Sequence, residues 1–228
     1  MTAPDLLPDS LQATRVRADR WTKFEWLVLP LLLSIGCAML YWIAATDARW
    51  HGALDYRRIA IANGQWWRLV TAHLMHVNAI HAALDVTGLL LVAWIFGAEL
   101  DGRRQALALL IGAASVDVGL WFFHPEVDRY VGLSGALHAL FAAGAVGWLL
   151  ARKPTPRSDA TLRMRRTWGT ALLVGLVAKL VLESAGDAFW LQAASFDVVT
   201  AAHRWGSAGG ALYGVARALT MRFGKRRA

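Results

Sequence analysis

The sequence predicts an all-α polytopic membrane protein built from six transmembrane helices, and three observations carry that prediction. Of its 228 residues, 57% are AVILMFWYC, against about 45–50% in soluble domains even when Gly is included. Only 18% are charged, and those gather in short clusters between long apolar runs. The basic clusters alternate in density along the chain, as cytoplasmic and outer loops do. This composition excludes a disordered chain, a coiled coil and an ordinary soluble enzyme. One cysteine, Cys37, excludes a disulfide framework and a multi-cysteine metal site. The net charge of +8 would suit nucleic acid in a soluble protein. In a membrane chain it marks cytoplasmic loops, so the lipid bilayer, and no nucleic acid, is the expected partner.

A hydrocarbon core of about 30 Å needs roughly 20 apolar residues per helix. Residues 26–46 form such a run without a charge. Residues 69–98 are apolar apart from His73, His76, His81 and Asp85, and read as one second helix. The third run, 105–123, carries only Asp117, and the fourth, 130–151, carries no charge. The fifth, 168–192, holds Lys179, Glu183 and Asp187, and the sixth, 198–219, holds His203, Arg204 and Arg217.

Loop charge orients these spans. Arg15, Arg17, Arg20 and Lys23 precede the first, and Arg103 and Arg104 lie between the second and third. Arg152, Lys153, Arg157, Arg163, Arg165 and Arg166 follow the fourth, and Arg222, Lys225, Arg226 and Arg227 end the chain. The opposite connections hold Arg49, Arg57, Arg58, Arg68 and Arg129. The positive-inside rule therefore places both termini in the cytoplasm. Trp21, Trp26, Trp42, Trp50, Trp66, Trp67, Trp121, Trp148, Trp168 and Trp190 fall near span ends as an interfacial belt, with Trp94 and Trp205 further in. Residues 1–24 are read as a cytoplasmic segment rather than a signal peptide, 25–220 as the helical core and 221–228 as a basic cytoplasmic tail.

Ionisable groups in hydrocarbon are expensive and point to function. With this orientation, His73, His76, His81 and Asp85 lie in the outer half of the second span. Gly132-Leu133-Ser134-Gly135 opens the fourth from the same side, Asp117 reaches the same leaflet, and His203 lies just inside the sixth. Metal binding fits poorly, because no H-E-x-x-H pattern is present; no metal and no cofactor are expected. A serine nucleophile with a histidine base fits better. Gly132 and Gly135 flank Ser134 in a tight turn, and the Ser134 N–H sits at a helix N-terminus where an oxyanion could bind. Gly206, Gly210 and Gly214 form an i, i+4 ridge after His203. That ridge would let its helix approach the small-faced fourth span of Gly135, Ala136, Ala139, Ala142 and Ala143.

These residues resemble those of the rhomboid intramembrane serine proteases. Trp67-Arg68 resembles the WR motif of the first outer loop, His76-x4-His81-x3-Asp85 the H-x4-H-x3-N signature, Gly132-Leu133-Ser134-Gly135 the GxSG motif, and Ala202-His203-x-x-Gly206-x-x-x-Gly210 the segment carrying the base. The resemblance covers roughly residues 60–218 and implies a six-helix rhomboid-like bundle in the bacterial inner membrane. It implies hydrolysis of peptide bonds in transmembrane protein substrates by a Ser134–His203 dyad, with no Asp orienting His203. His81, residue 85 and the Ser134 N–H would line the oxyanion hole, His76 would shape that end of the helix, and Trp67-Arg68 would stabilise the first loop. The site would open to the outer, periplasmic face.

Two positions depart from the family pattern. Asp85 replaces the usual Asn: ionised, it would repel an oxyanion; protonated by burial, it could donate to one; or it pairs with His81 while other donors suffice. His138 stands where many rhomboids have Tyr, packed on the base. The string from Gly132 to His138 resembles the rhombosortase branch, associated with substrates bearing a C-terminal GlyGly-CTERM tail. Asp85 also motivates an alternative, an inactive rhomboid-like protein that binds membrane clients. A transporter lacks the internal repeat and paired broken helices it would need. Lys179 and Glu183, at i, i+4, read as an ion pair on the fifth span. Asp117 is expected to pair with Arg204 or the histidines, Arg204 to snorkel outward, the 47–65 loop to act as scaffold or gate, and Cys37 to be lipid-facing or packed.

Overall fold

The structure, a computed structural model, describes residues 25–47, 49–151, 159–186 and 198–224. The segment 1–24, the loop 152–158, the stretch 187–197 and the tail 225–228 lie outside the described residues, as do Trp21, Trp190 and Asp187. The described chain is helical apart from one two-residue ladder. Its elements are α1 (Glu25–Thr46), α2 (Arg49–Leu54), β1 (Tyr56–Arg57), α3 (Arg58–Ala62), α4 (Arg68–Thr71), a 3₁₀ turn (Ala72–Leu74), α5 (Ala79–Phe96), α6 (Gly102–Phe123), β2 (Arg129–Tyr130), α7 (Ser134–Leu149), α8 (Asp159–Ala185) and α9 (Thr200–Gly224).

Four helices, α1, α5, α6 and α8, are long and apolar enough to cross a bilayer. The other two fall short for separate reasons. The 16 residues of α7 extend about 24 Å, less than a hydrocarbon core of about 30 Å. The helix α9 is long, but His203, Arg204, Arg217 and its glycines dilute its apolar character.

The second run is broken, contrary to the expectation of one helix over 69–98. After α4 and the 3₁₀ turn the backbone extends at Met75, and α5 begins only after Asn78, whose side chain accepts from the His81 N–H at 2.8 Å. Such an N-cap is worth about 1 kcal/mol. A span-length hydropathy average does not register this break, because His76 and Asn78 are only two polar residues within a long apolar stretch. Its consequence is geometric: His73 lies in the 3₁₀ turn, His76 on the irregular backbone before α5, and His81 and Asp85 on the first turns of α5. The new boundary also brings Trp94, read as lying further in, into the last turn of α5, where it is exposed.

The helix α7 runs through the middle, with Ala139, Leu140, Ala143 and Ala145 fully buried. Its neighbours are α5, α6, α8 and α9. The glycine ridge explains the closeness of α9: a Cβ on Gly206 would lie 1.9 Å from the Gly135 carbonyl oxygen, and one on Gly210 would lie 2.0 Å from that of Ala139. On the other side of α9, Trp205 lies over Gly119 of α6 and stacks on Phe123 at 4.8 Å. Outward faces stay apolar, with Leu32, Trp94, Phe122 and Leu212 all more than 60% exposed, as lipid contact requires. Cys37 is packed in the core with Leu89, Phe96 and Leu140.

The loop between α1 and α5 is tied down by its motif residues. Arg68 is buried and donates to the Gly52 and Asp55 carbonyls at 2.7 Å each and to the Gln65 side chain at 2.7 Å. Trp67 Nε1 donates to the Ala53 carbonyl at 3.1 Å. Arg58 donates to the Leu120, Trp121 and His124 carbonyls, which α6 leaves unpaired at its C-terminus. The ladder Tyr56↔Tyr130 and Arg57↔Arg129, with Arg129 paired to buried Asp55 at 2.7 Å, joins this loop to the strand entering α7. Within 47–65 the described contacts are those of a scaffold.

Candidate active site

The site forms where two segments distant in the chain meet. Ser134 begins α7, His203 lies in the first turn of α9, and Gly132 and Leu133 connect β2 to Ser134. Gly132 is required twice. Its φ is +121°, and a Cβ there would meet the His81 ring at 2.7 Å. Three hydrogen bonds hold the turn: the Gly132 N–H donates to the Ala72 carbonyl at 3.0 Å, the Tyr130 hydroxyl donates to the Gly132 carbonyl at 2.6 Å, and the Leu133 N–H donates to Asp85 Oδ2 at 2.8 Å.

His203 Nε2 lies 3.0 Å from Ser134 Oγ, within hydrogen-bond reach. The His138 ring stacks on that of His203, with centroids 4.2 Å apart and planes 13° from parallel. His138 Nδ1 donates to the Ser134 carbonyl at 2.7 Å, which locks the stacking ring one turn along α7. Gly135 lets this arrangement close, since a Cβ there would press on Val116 and on the Ala202 carbonyl. His203 is almost fully buried.

Asp85 faces donors. Besides accepting from the Leu133 N–H, its Oδ2 lies 3.1 Å from His76 Nε2 and 3.5 Å from His81 Nε2. To the His81 pairing the sequence offered as one of three readings, the structure adds contacts of the same oxygen with His76 and with the Leu133 N–H. The rings of His76 and His81 meet edge to face at 5.1 Å. Asp117 pairs with a histidine rather than with Arg204: Oδ1 lies 3.4 Å from His73 Nε2. Arg204 instead donates to Ser184 Oγ at 3.1 Å. Among the described residues no three His, Cys, Asp or Glu side chains converge as a metal centre requires.

One contact was missed. Glu183 on α8 is paired with Lys179 as the spacing indicates, but its other oxygen, Oε2, lies 2.9 Å from His203 Nδ1. The residues are twenty positions apart on different helices, so no local periodicity connects them. The available signal was depth: a fifth span rising to the outer face carries Glu183 to the level of His203.

A model of the rhomboid domain matches residues 63–220, which includes every element of this site. The chain belongs to the rhomboid family. It is also similar to a protein of Bacillus subtilis (strain 168) named "Putative rhomboid protease YdcA", at 29% identity over 132 residues. That match covers 55% of this chain and 66% of the relative, just under two thirds of its length. Family membership and the four long apolar helices make this rhomboid a multi-pass membrane protein.

Proposed function

We propose that this rhomboid is an intramembrane serine endopeptidase in which Ser134 is the nucleophile and His203 the general base. The observation that carries the reading is the 3.0 Å contact between Ser134 Oγ and His203 Nε2 in a buried site. Serine is a weak nucleophile unless a base takes its proton. As Ser134 Oγ bonds to the scissile carbonyl carbon, its proton passes to Nε2. The resulting imidazolium returns that proton to the leaving amine, and a water then hydrolyses the acyl-enzyme with His203 again as base. The Ser134 N–H, at the N-terminus of α7, is the donor assigned to the oxyanion, and the His81 ring lines the same end of the site beside Gly132. Asp85 is assigned a different role from the Asn of other family members: its carboxylate anchors the Leu133 N–H and so fixes the turn bearing Ser134, without donating to the oxyanion.

The topology belongs to the same proposal. Taking α7 and α9 as spans gives six, and loop charge places both termini in the cytoplasm. The C-terminal end of α7 lies by Glu99, which accepts from Arg217 at 2.6 Å in a charged cluster suited to an interface. The helix is short of the core by roughly 6 Å, so Ser134 falls below the outer surface, reached by water from the periplasmic side of a bacterial inner membrane. Residues 25–220 form the protease core, with 1–24 and 221–228 cytoplasmic.

The string from Gly132 to His138, with His in place of Tyr against the base, is what supports narrowing the reading to the rhombosortase branch, with GlyGly-CTERM tails as substrate. The test is co-reconstitution in liposomes with two anchored reporters, one ending in a GlyGly-CTERM tail and one in an unrelated transmembrane helix. Cleavage by wild type that is lost in Ser134→Ala supports the protease. Preference for the first reporter supports the branch. Binding of both without cleavage of either supports the client-binding alternative.

A further inference from the structure

Resting on the Ser134–His203 reading, we infer that Glu183 is a positioning residue for the base, so that this rhomboid operates a Ser–His–Glu triad in which Lys179 holds the carboxylate. Three observations converge. Glu183 Oε2 lies 2.9 Å from His203 Nδ1, on the opposite ring edge from the 3.0 Å contact of Nε2 with Ser134 Oγ. The Glu183 side chain is only 2% exposed, so this contact is shielded from competing water. Its other oxygen accepts from Lys179 Nζ one helical turn earlier. A second link between the same helices, Arg204 to Ser184 Oγ at 3.1 Å, fixes their register beside this pair.

The chemistry follows from proton positions. A neutral imidazole carries one N–H. A carboxylate at Nδ1 accepts that N–H, which leaves the Nε2 lone pair facing the serine. When the Ser134 proton moves to Nε2, the ring becomes a cation, and the carboxylate stabilises it without taking a proton itself. The ammonium of Lys179 leaves Glu183 an acceptor and occupies its second oxygen, so the carboxylate cannot turn away. His138 holds the ring face while Glu183 holds the ring edge, and together they leave His203 one orientation.

Labelling by a fluorophosphonate probe in nanodiscs tests the role. Glu183→Gln presents an amide N–H₂ or an amide oxygen to Nδ1, and removes the charge that stabilises the imidazolium. The inactivation rate constant should fall roughly 100- to 10,000-fold, while the probe's half-saturation concentration stays within about threefold. A separate measurement on the wild-type chain holds even if that variant does not fold. In ¹⁵N-histidine spectra, with His203 identified by the signal lost in His203→Ala, the resting ring should be protonated at Nδ1. An unchanged inactivation rate in folded Glu183→Gln, or a wild-type ring protonated at Nε2, overturns the inference. Labelling that survives Ser134→Ala overturns the underlying reading instead, and the tautomer measurement still decides what Glu183 does to His203.

Discussion

Asp85 illustrates how one oxygen can redirect a residue's role. Asn at this position could donate to an oxyanion, whereas the carboxylate here accepts from the Leu133 N–H at 2.8 Å and pairs with His76. Asp85→Leu leaves that buried N–H without an acceptor, a loss of about 1–3 kcal/mol, which thermal unfolding in detergent should read as a lower midpoint. Asp85→Asn can still accept through its amide oxygen, so it should unfold closer to wild type; equal destabilisation by both variants would contradict the anchoring role. Gly132 is constrained more severely. Gly132→Ala must place a side chain at φ +121° against the His81 ring, and it should cost several kcal/mol or fail to accumulate in the membrane.

At the level of elements, the fit of α9 against α7 is what brings base and nucleophile together. Gly210→Ala would set a methyl 2.0 Å from the Ala139 carbonyl oxygen, forcing the two helices apart. Probe labelling of Ser134 should drop at least tenfold, because a misplacement of about 1 Å can cost 100-fold in rate. Gly175→Ala on α8 meets nothing within 4 Å and should leave labelling unchanged, with helix stability equal or slightly raised. If both variants behave alike, the glycine ridge is not what sets the site. The ridge was legible because i, i+4 spacing is a local property of one helix, and the small residues of α7 were legible for the same reason. The break between α4 and α5 was not, since its decisive feature is a single side-chain cap by Asn78, which a span-length hydropathy average absorbs. Nor was the Glu183–His203 contact, which depends on how α8 and α9 meet rather than on either sequence alone.

For the molecule as a whole, the spans and their direction rest on hydropathy and loop charge, while the chemistry rests on depth. Sequence reasoning expects Ser134, His203 and the second-span histidines in one leaflet; the structure brings Ser134 Oγ and His203 Nε2 within 3.0 Å and sets the His81 ring beside Gly132. Sequence reasoning could not show which acceptor each histidine would find, because that depends on angstrom-scale packing among helices far apart in the chain. The topology has its own check. Green fluorescent protein fused at either end should fluoresce and alkaline phosphatase at either end should stay inactive, whereas the reverse at one end would mean an odd number of spans. The central claim, an activated serine built by α7 and α9, is tested most directly by intact-mass measurement after fluorophosphonate treatment of wild type, Ser134→Ala and His203→Ala. A single adduct on wild type, absent from both folded variants, is the predicted result. An unmodified wild type, or an adduct that persists in Ser134→Ala, would contradict it.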